Sequence, residues 1–143
     1  MCCANPARRI AYFPGDIERT YWITGHGDLL RLLHNTIRWL THGESVVHVE
    51  GDGFVEMFAW ETQAGYAVHL LNYTSPDAQH GWLQSTYPLG PQTVSMKLPQ
   101  NVRVKSVELL RGGQTVPIHV DDQIVQFTIP RIDDYEVAAI TVA

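Results

Sequence analysis

The spacing of apolar residues divides the chain into a helical stretch followed by a longer stretch with the period of β-strands. Leu29, Leu33, Ile37 and Leu40 recur at helical spacing, and Leu30, Leu32 and Trp39 widen their apolar face. Gly25-His26-Gly27-Asp28 opens this helix. Asp28 suits an N-cap or the first turn, where a carboxylate opposes the positive end of the helix dipole. Gly43 closes the helix after about four turns. Ahead of it, the short apolar run Ile10–Phe13 predicts a strand that stops at Pro14-Gly15, followed by a loop through Asp16, Glu18, Arg19 and Trp22. From Ser45 onward every signal is β. Val46–Glu50 predicts a strand ending at Gly51-Asp52-Gly53. Phe54–Tyr73 then reads as a hairpin around Thr-Gln-Ala-Gly. Both hairpin strands are apolar on both faces, which predicts the middle of a covered sheet, with Trp60 and the helical Trp39 in the core. The helix stripe is expected to pack on the hairpin's outer face.

Thr74–Gly90 is a long polar and aromatic connection. Thr93–Leu98 alternates cleanly, with Val94, Met96 and Leu98 in and Thr93, Ser95 and Lys97 out. Val102–Leu110 turns at Gly112-Gly113. Val116, Ile118 and Val120 share a face, as do Val125, Phe127 and Ile129, and Tyr135–Val142 closes the chain. About eight short strands at roughly 8–12-residue spacing predict a mainly β fold, an antiparallel Greek-key β-sandwich. The change of period at Thr41–Ser45 sets the boundary: residues 1–43 are a strand–loop–helix segment packed on a sandwich formed by residues 44–143. One strand and one helix are too little for a domain, so 1–43 read as the remnant of something larger.

Composition narrows the function classes. The 143 residues are 45% hydrophobic and 17% charged, which is globular. A formal charge of −5, with ten scattered Lys and Arg, argues against a nucleic-acid partner. No apolar run approaches the roughly 20 residues of a membrane helix. Met1–Arg9 lacks an apolar signal core, and the only cysteines are the adjacent Cys2 and Cys3. A reducing, cytoplasmic location is therefore expected, with a frayed terminus rather than a redox or metal role for the pair.

Seven histidines, His26, His34, His42, His48, His69, His80 and His119, show no tight metal-ligand spacing, and no metal or other cofactor is expected. No Gly-x-Ser-x-Gly elbow or phosphate-cradling glycine loop occurs. Glycoside hydrolysis needs two carboxylates roughly 5–10 Å apart across a sugar. Most acids here fall in turns, and Glu56, with apolar neighbours, is the least ordinary. If the chain is an enzyme, Glu56, Glu61 and Asp16 are the acids to test, with the Asp121-Asp122 turn as a further source. Trp82, Tyr87 and Trp22 lie in loops, where flat rings can stack on sugars. Asn72-Tyr73-Thr74 matches a glycosylation sequon.

Tyr12-Phe13-Pro14-Gly15-Asp16-Ile17, Arg19, Tyr21-Trp22, Gly25-His26, Asp28-Leu29, Leu32-Leu33, Asn35 and Ile37-Arg38-Trp39 together resemble part of a known family. They are similar to the last strand, loop and helix of the glutamine-amidotransferase-like, or β-galactosidase trimerisation, domain of multidomain bacterial glycoside hydrolases. Val47–Gly53, the hairpin with Val68-His69-Leu70-Leu71-Asn72-Tyr73-Thr74, Val107-Leu109-Leu110 and Tyr135-Glu136-Val137 resemble the β-sandwich that ends such proteins. The resemblance covers roughly residues 9–142 and implies a carbohydrate-active context without an active site. The family's catalytic acids sit on an upstream (β/α)8 barrel, and nothing here matches a barrel strand. Its amidotransferase-like domain serves assembly, so Asp16 and His26 are expected to be structural. The expected function is a non-catalytic accessory module, either a C-terminal piece or a small reading frame derived from one. It is expected to form a homo-oligomer and to contact carbohydrate weakly. A stand-alone glycosidase with a carboxylate pair and a carbohydrate-binding module are the alternatives.

Overall fold

A computed structural model describes residues 2–5, 8–43, 45–75 and 85–143. The chain forms two compact units, Met1–Ser45 and Val46–Ala143. In the first, strand β1 (Cys2–Asn5) pairs antiparallel with β2 (Arg8–Ala11), so the terminus expected to fray is part of a ladder. The strand predicted at Ile10–Phe13 thus lies earlier in the chain. The predicted loop after it is instead a helix, α1 (Ile17–Thr24). Its caps were present in the sequence: the Asp16 side chain accepts from Arg19 N–H at 3.2 Å, and Gly25 ends the helix in the left-handed conformation. Helix α2 (Gly27–Leu40) follows, with His26 as N-cap and Asp28 in the first turn. The guanidinium of Arg9 lies 5.4 Å from the centroid of the Trp39 ring, which is half-buried rather than enclosed in a core. Neither helix contains a fully buried residue.

The second unit is a pair of antiparallel sheets. One runs in the order β3 (Val47–Glu50), β6 (Gln92–Lys97), β10 (Ile124–Ile129), β9 (Ile118–Asp121). The other runs β4 (Val55–Thr62), β5 (Gly65–Asn72), β11 (Tyr135–Val142), β7 (Val104–Leu109), β8 (Gln114–Val116). Their facing sides build one core: Val94, Val125, Phe127 and Ile129 from the first sheet meet Val68, Leu70, Val107, Leu109 and Ile140 from the second. Each such side chain contributes about 1.5–3 kcal/mol when fully buried. The clean alternation read in Thr93–Leu98 is present, with Val94, Met96 and Leu98 buried.

Two expectations are corrected. The hairpin forms as predicted, Thr62 pairing with Gly65, but β11 occupies the other side of β5 and leaves β4 at the sheet edge. Its outward residues are consequently open: Phe58 is 43% and Trp60 60% exposed, so Trp60 is not a core residue. The predicted strand through Val116, Ile118 and Val120 is split at Pro117. Val116 belongs to the five-stranded sheet, whereas Ile118 and Val120 belong to the four-stranded one. Proline has no N–H for a continuing ladder and marks the corner where the chain changes sheets.

Polar pins fix the loops between strands. Asn72 is only 4% exposed. Its amide nitrogen donates to the carbonyls of Tyr87 and Asp133, both at 2.7 Å, and its oxygen accepts from Thr74 N–H at 2.8 Å. Every polar atom of the Asn72 side chain is therefore occupied, and the sequon has no free amide for a glycan in the folded chain. Glu136, also 4% exposed, accepts from the backbone N–H groups of Arg111, Gly112 and Val137 at 2.8–2.9 Å. It closes the turn between β7 and β8.

Candidate functional site

The outer face of the four-stranded sheet is built from the positions that alternate with the core. Registry aligns them into two polar rows. His48, Ser95, Gln126 and His119 lie opposite one another across β3, β6, β10 and β9, and Glu50, Thr93 and Thr128 form the neighbouring row. Gln126 Nε2 donates to Ser95 Oγ at 3.2 Å, and His48 Nε2 lies 3.2 Å from Glu50 Oε1. The last pair between β9 and β10 is Ile118 with Phe127, while β10 continues to Ile129. Because the chain turns away at Pro117, an open groove of about 590 Å³ remains beside the end of β10. Glu50, Thr93, His119, Gln126 and Thr128 line it, with Pro117 supplying apolar surface. Its size lies within the roughly 300–1,000 Å³ of small-molecule sites.

The outer face of the five-stranded sheet differs. Phe54, just before β4, and Phe58 and Trp60 along it are 55%, 43% and 60% exposed. Registry puts His69 beside Phe58, Ala67 beside Trp60, and Leu71 beside Glu56. Phe54 and Tyr73 meet edge to face, with ring centroids 6.2 Å apart. His69 Nδ1 is hydrogen-bonded to the Tyr135 hydroxyl. Hydrogen bonding to Glu56, and then that carboxylate's charge, hold the Tyr73 phenol above the ordinary tyrosine range.

A smaller cleft of about 260 Å³ opens beside Arg111, Arg131, Asp133, Asp134 and Glu136. Arg111 pairs with Asp134 at 2.9 Å and Arg131 with Asp133 at 2.8 Å, so its arginines and aspartates serve one another. Glu136 is spoken for by three backbone donors.

The acids singled out in the sequence are not assembled into a pair. Glu56 and Glu61 lie five positions apart on β4, which places them on opposite faces and roughly 16 Å apart along the strand. Asp16 caps α1 in the other unit. Asp122 takes a left-handed conformation (φ 52°) in the two-residue turn joining β9 to β10. Of the aromatic candidates, Tyr87 is exposed, and its backbone is held by Thr74 and Asn72. Trp22 is exposed on α1. Trp82 lies outside the described residues. Among the described residues no three His, Cys, Asp or Glu side chains gather as metal ligands. None of their helices is long and apolar enough to cross a membrane.

Sequence reading passed over the groove. The outward alternation of His48, Glu50, Thr93, Ser95, Gln126 and Thr128 was a signal for a polar face. Their alignment depends on strand order, which no local pattern encodes.

No protein-family model matches the chain, and a search of curated protein sequences finds no match. Among solved structures the fold is similar to that of α-L-fucosidase isoenzyme 2 from Paenibacillus thiaminolyticus, with a TM-score of 0.70 at 20% sequence identity. The match covers 89% of this chain and 20% of the fucosidase chain, so this chain spans about a fifth of that protein's length. At that identity the likeness establishes the fold.

Proposed function

We propose that this chain is a non-catalytic accessory module of a glycoside hydrolase, serving assembly and making weak contact with carbohydrate. The observation that carries the reading is the fold it shares with one-fifth of a fucosidase chain. Residues 1–43 fit the same reading as the remnant of a trimerisation-like α/β domain. Strand β2 and amphipathic helix α2 correspond to the strand and helix that the resemblance in the sequence anticipates, with helix α1 in place of its loop. The placement of the acids is consistent with it, since Glu56 holds a tyrosine and Asp16 a helix end.

The test is hydrolysis of a panel of nitrophenyl glycosides by the purified chain, with the Glu56→Gln, Glu61→Gln double variant alongside. No turnover is expected from either. Turnover lost in the double variant overturns the reading in favour of a small glycosidase. Turnover that survives it and follows the chain through a second purification overturns the reading as well.

A homo-oligomer belongs to the same proposal. Phe54, Phe58 and Trp60 form an exposed aromatic row on an edge strand, the kind of surface that a second copy covers in an assembly. Light scattering of the purified chain should give a mass above 16.1 kDa.

A further inference from the structure

We infer that the groove on the outer face of the four-stranded sheet is a binding site for a short neutral saccharide. The inference rests on the accessory-module reading and gives its carbohydrate contact a place.

The groove's side chains offer a mixed hydrogen-bonding inventory. Glu50 offers an acceptor-only carboxylate, Thr93 and Thr128 offer hydroxyls that both donate and accept, Gln126 offers an amide with both functions, and His119 an imidazole. A ligand that satisfies so mixed a set within one small groove must carry several closely spaced groups that are themselves donor and acceptor. Sugar hydroxyls meet that requirement. Other ligand classes fit poorly. No Arg or Lys lines the groove, and Glu50 would repel a phosphate or carboxylate. A metal ion would find a single carboxylate there, already 3.2 Å from His48. A nucleobase would find no exposed ring to stack on, since Phe127 is buried in the core.

The apolar surface is also of the right kind. Pro117 borders the polar rows, so the C–H face of a pyranose can lie against its ring while its hydroxyls reach the rows. The polar side chains project from paired strands rather than loops, and Ser95 holds the Gln126 amide at 3.2 Å. Their spacing is thus set before a ligand arrives, which lowers the cost of binding.

The site predicts its own selectivity. Glu50 should disfavour acidic sugars relative to neutral ones of the same shape. An amide NMR titration of the intact chain with glucose, galactose, mannose, lactose and cellobiose, and with glucuronate as the charged comparison, tests it. At least one neutral sugar should shift the backbone amides around Thr93, His119, Gln126 and Thr128, with millimolar affinity. The His119→Ala, Gln126→Ala double variant should weaken that sugar about tenfold or more, whereas Trp60→Ala should leave it unchanged. Both groove positions are exposed, and an unaltered spectrum elsewhere will show that the double variant is folded. Should it fail to fold, Glu50→Gln decides the matter: it must narrow the gap between the neutral sugar and glucuronate, and an unchanged gap overturns the proposal. Shifts that centre on Trp60, Phe58 or Tyr87, or no shifts with any sugar, also overturn it. Shifts elsewhere leave the accessory-module reading whole, and no shifts with any sugar remove its carbohydrate contact but not its assembly role, because the non-catalytic reading falls on glycoside turnover and not on binding.

Discussion

The two sheets share one core but turn unlike faces outward. Across β3, β6, β10 and β9 the outer rows are His, Glu, Ser, Thr and Gln. On β4 and just before it they are Phe54, Glu56, Phe58 and Trp60, beside Ala67, His69, Leu71 and Tyr73. The polar face is already suited to water and to hydroxylic ligands. The aromatic face leaves large rings exposed on an edge strand, a surface that gains free energy when another surface covers it. Under the proposed function the two faces would take separate tasks, one toward sugar and the other toward assembly.

If the inner faces are equivalent and only the outer ones differ, inner substitutions on either sheet should cost alike. Phe127→Ala in the four-stranded sheet should lower stability by about 3–5 kcal/mol and Leu70→Ala in the five-stranded one by about 2–5 kcal/mol, read as a shift of the urea midpoint. A small loss at one and a large loss at the other would mean that the sheets do not share a single cooperative core. Glu136→Ala comes next. It leaves the N–H groups of Arg111, Gly112 and Val137 without their acceptor, at about 2–4 kcal/mol. Glu136→Gln should lose less, because its remaining oxygen can still accept. Near-neutrality of Glu136→Ala would show that the turn is held by something other than this carboxylate.

How much of this was legible depends on the range of the signal. Alternation in Thr93–Leu98 and the apolar stripe of Leu29, Leu33 and Ile37 are local and gave their elements directly. The caps Asp16 and Gly25 were equally local, yet α1 read as a loop because its eight residues carry too short an apolar stripe to show a period. The edge position of β4 was not legible. Residues apolar on both faces fit a central strand or an uncovered edge equally well, and only the pairing of β11 with β5 decides between them. The groove required two non-local facts, the order β3-β6-β10-β9 and the change of sheet at Pro117. The enclosure of Asn72 was not legible either, because its three-residue motif carries no record of the carbonyls of Tyr87 and Asp133 that accept from its amide.

Smaller effects sharpen the contrast between the outer faces. Phe58→Ser and Trp60→Ser together should leave the urea midpoint nearly unchanged, within roughly 1 kcal/mol, since both rings are already open to solvent. The same pair should lower the mass seen by light scattering if the aromatic row is the assembly surface. A mass that stays constant would move the assembly contact to another part of the chain.

The smallest effect concerns the pairing of Glu56 with Tyr73 beside the aromatic row. Glu56 accepts a hydrogen bond from Tyr73, and its negative charge opposes formation of a phenolate beside it, so the Tyr73 phenol is raised above the ordinary tyrosine range. Below that range both folded and unfolded chains keep the proton, and the contribution is fully present and flat. As pH rises through the range the unfolded chain ionises first, the native chain binds more protons, and stability declines until the folded phenol has also titrated. Glu56→Gln removes the charge and should return Tyr73 toward the ordinary range. Phenolate absorbance, taken as the difference from a Tyr73→Phe control, reads this directly. An unmoved titration would mean that Glu56 does not hold the tyrosine. Its carboxylate, freed of a structural role on the aromatic face, would then again be an acid in search of a partner.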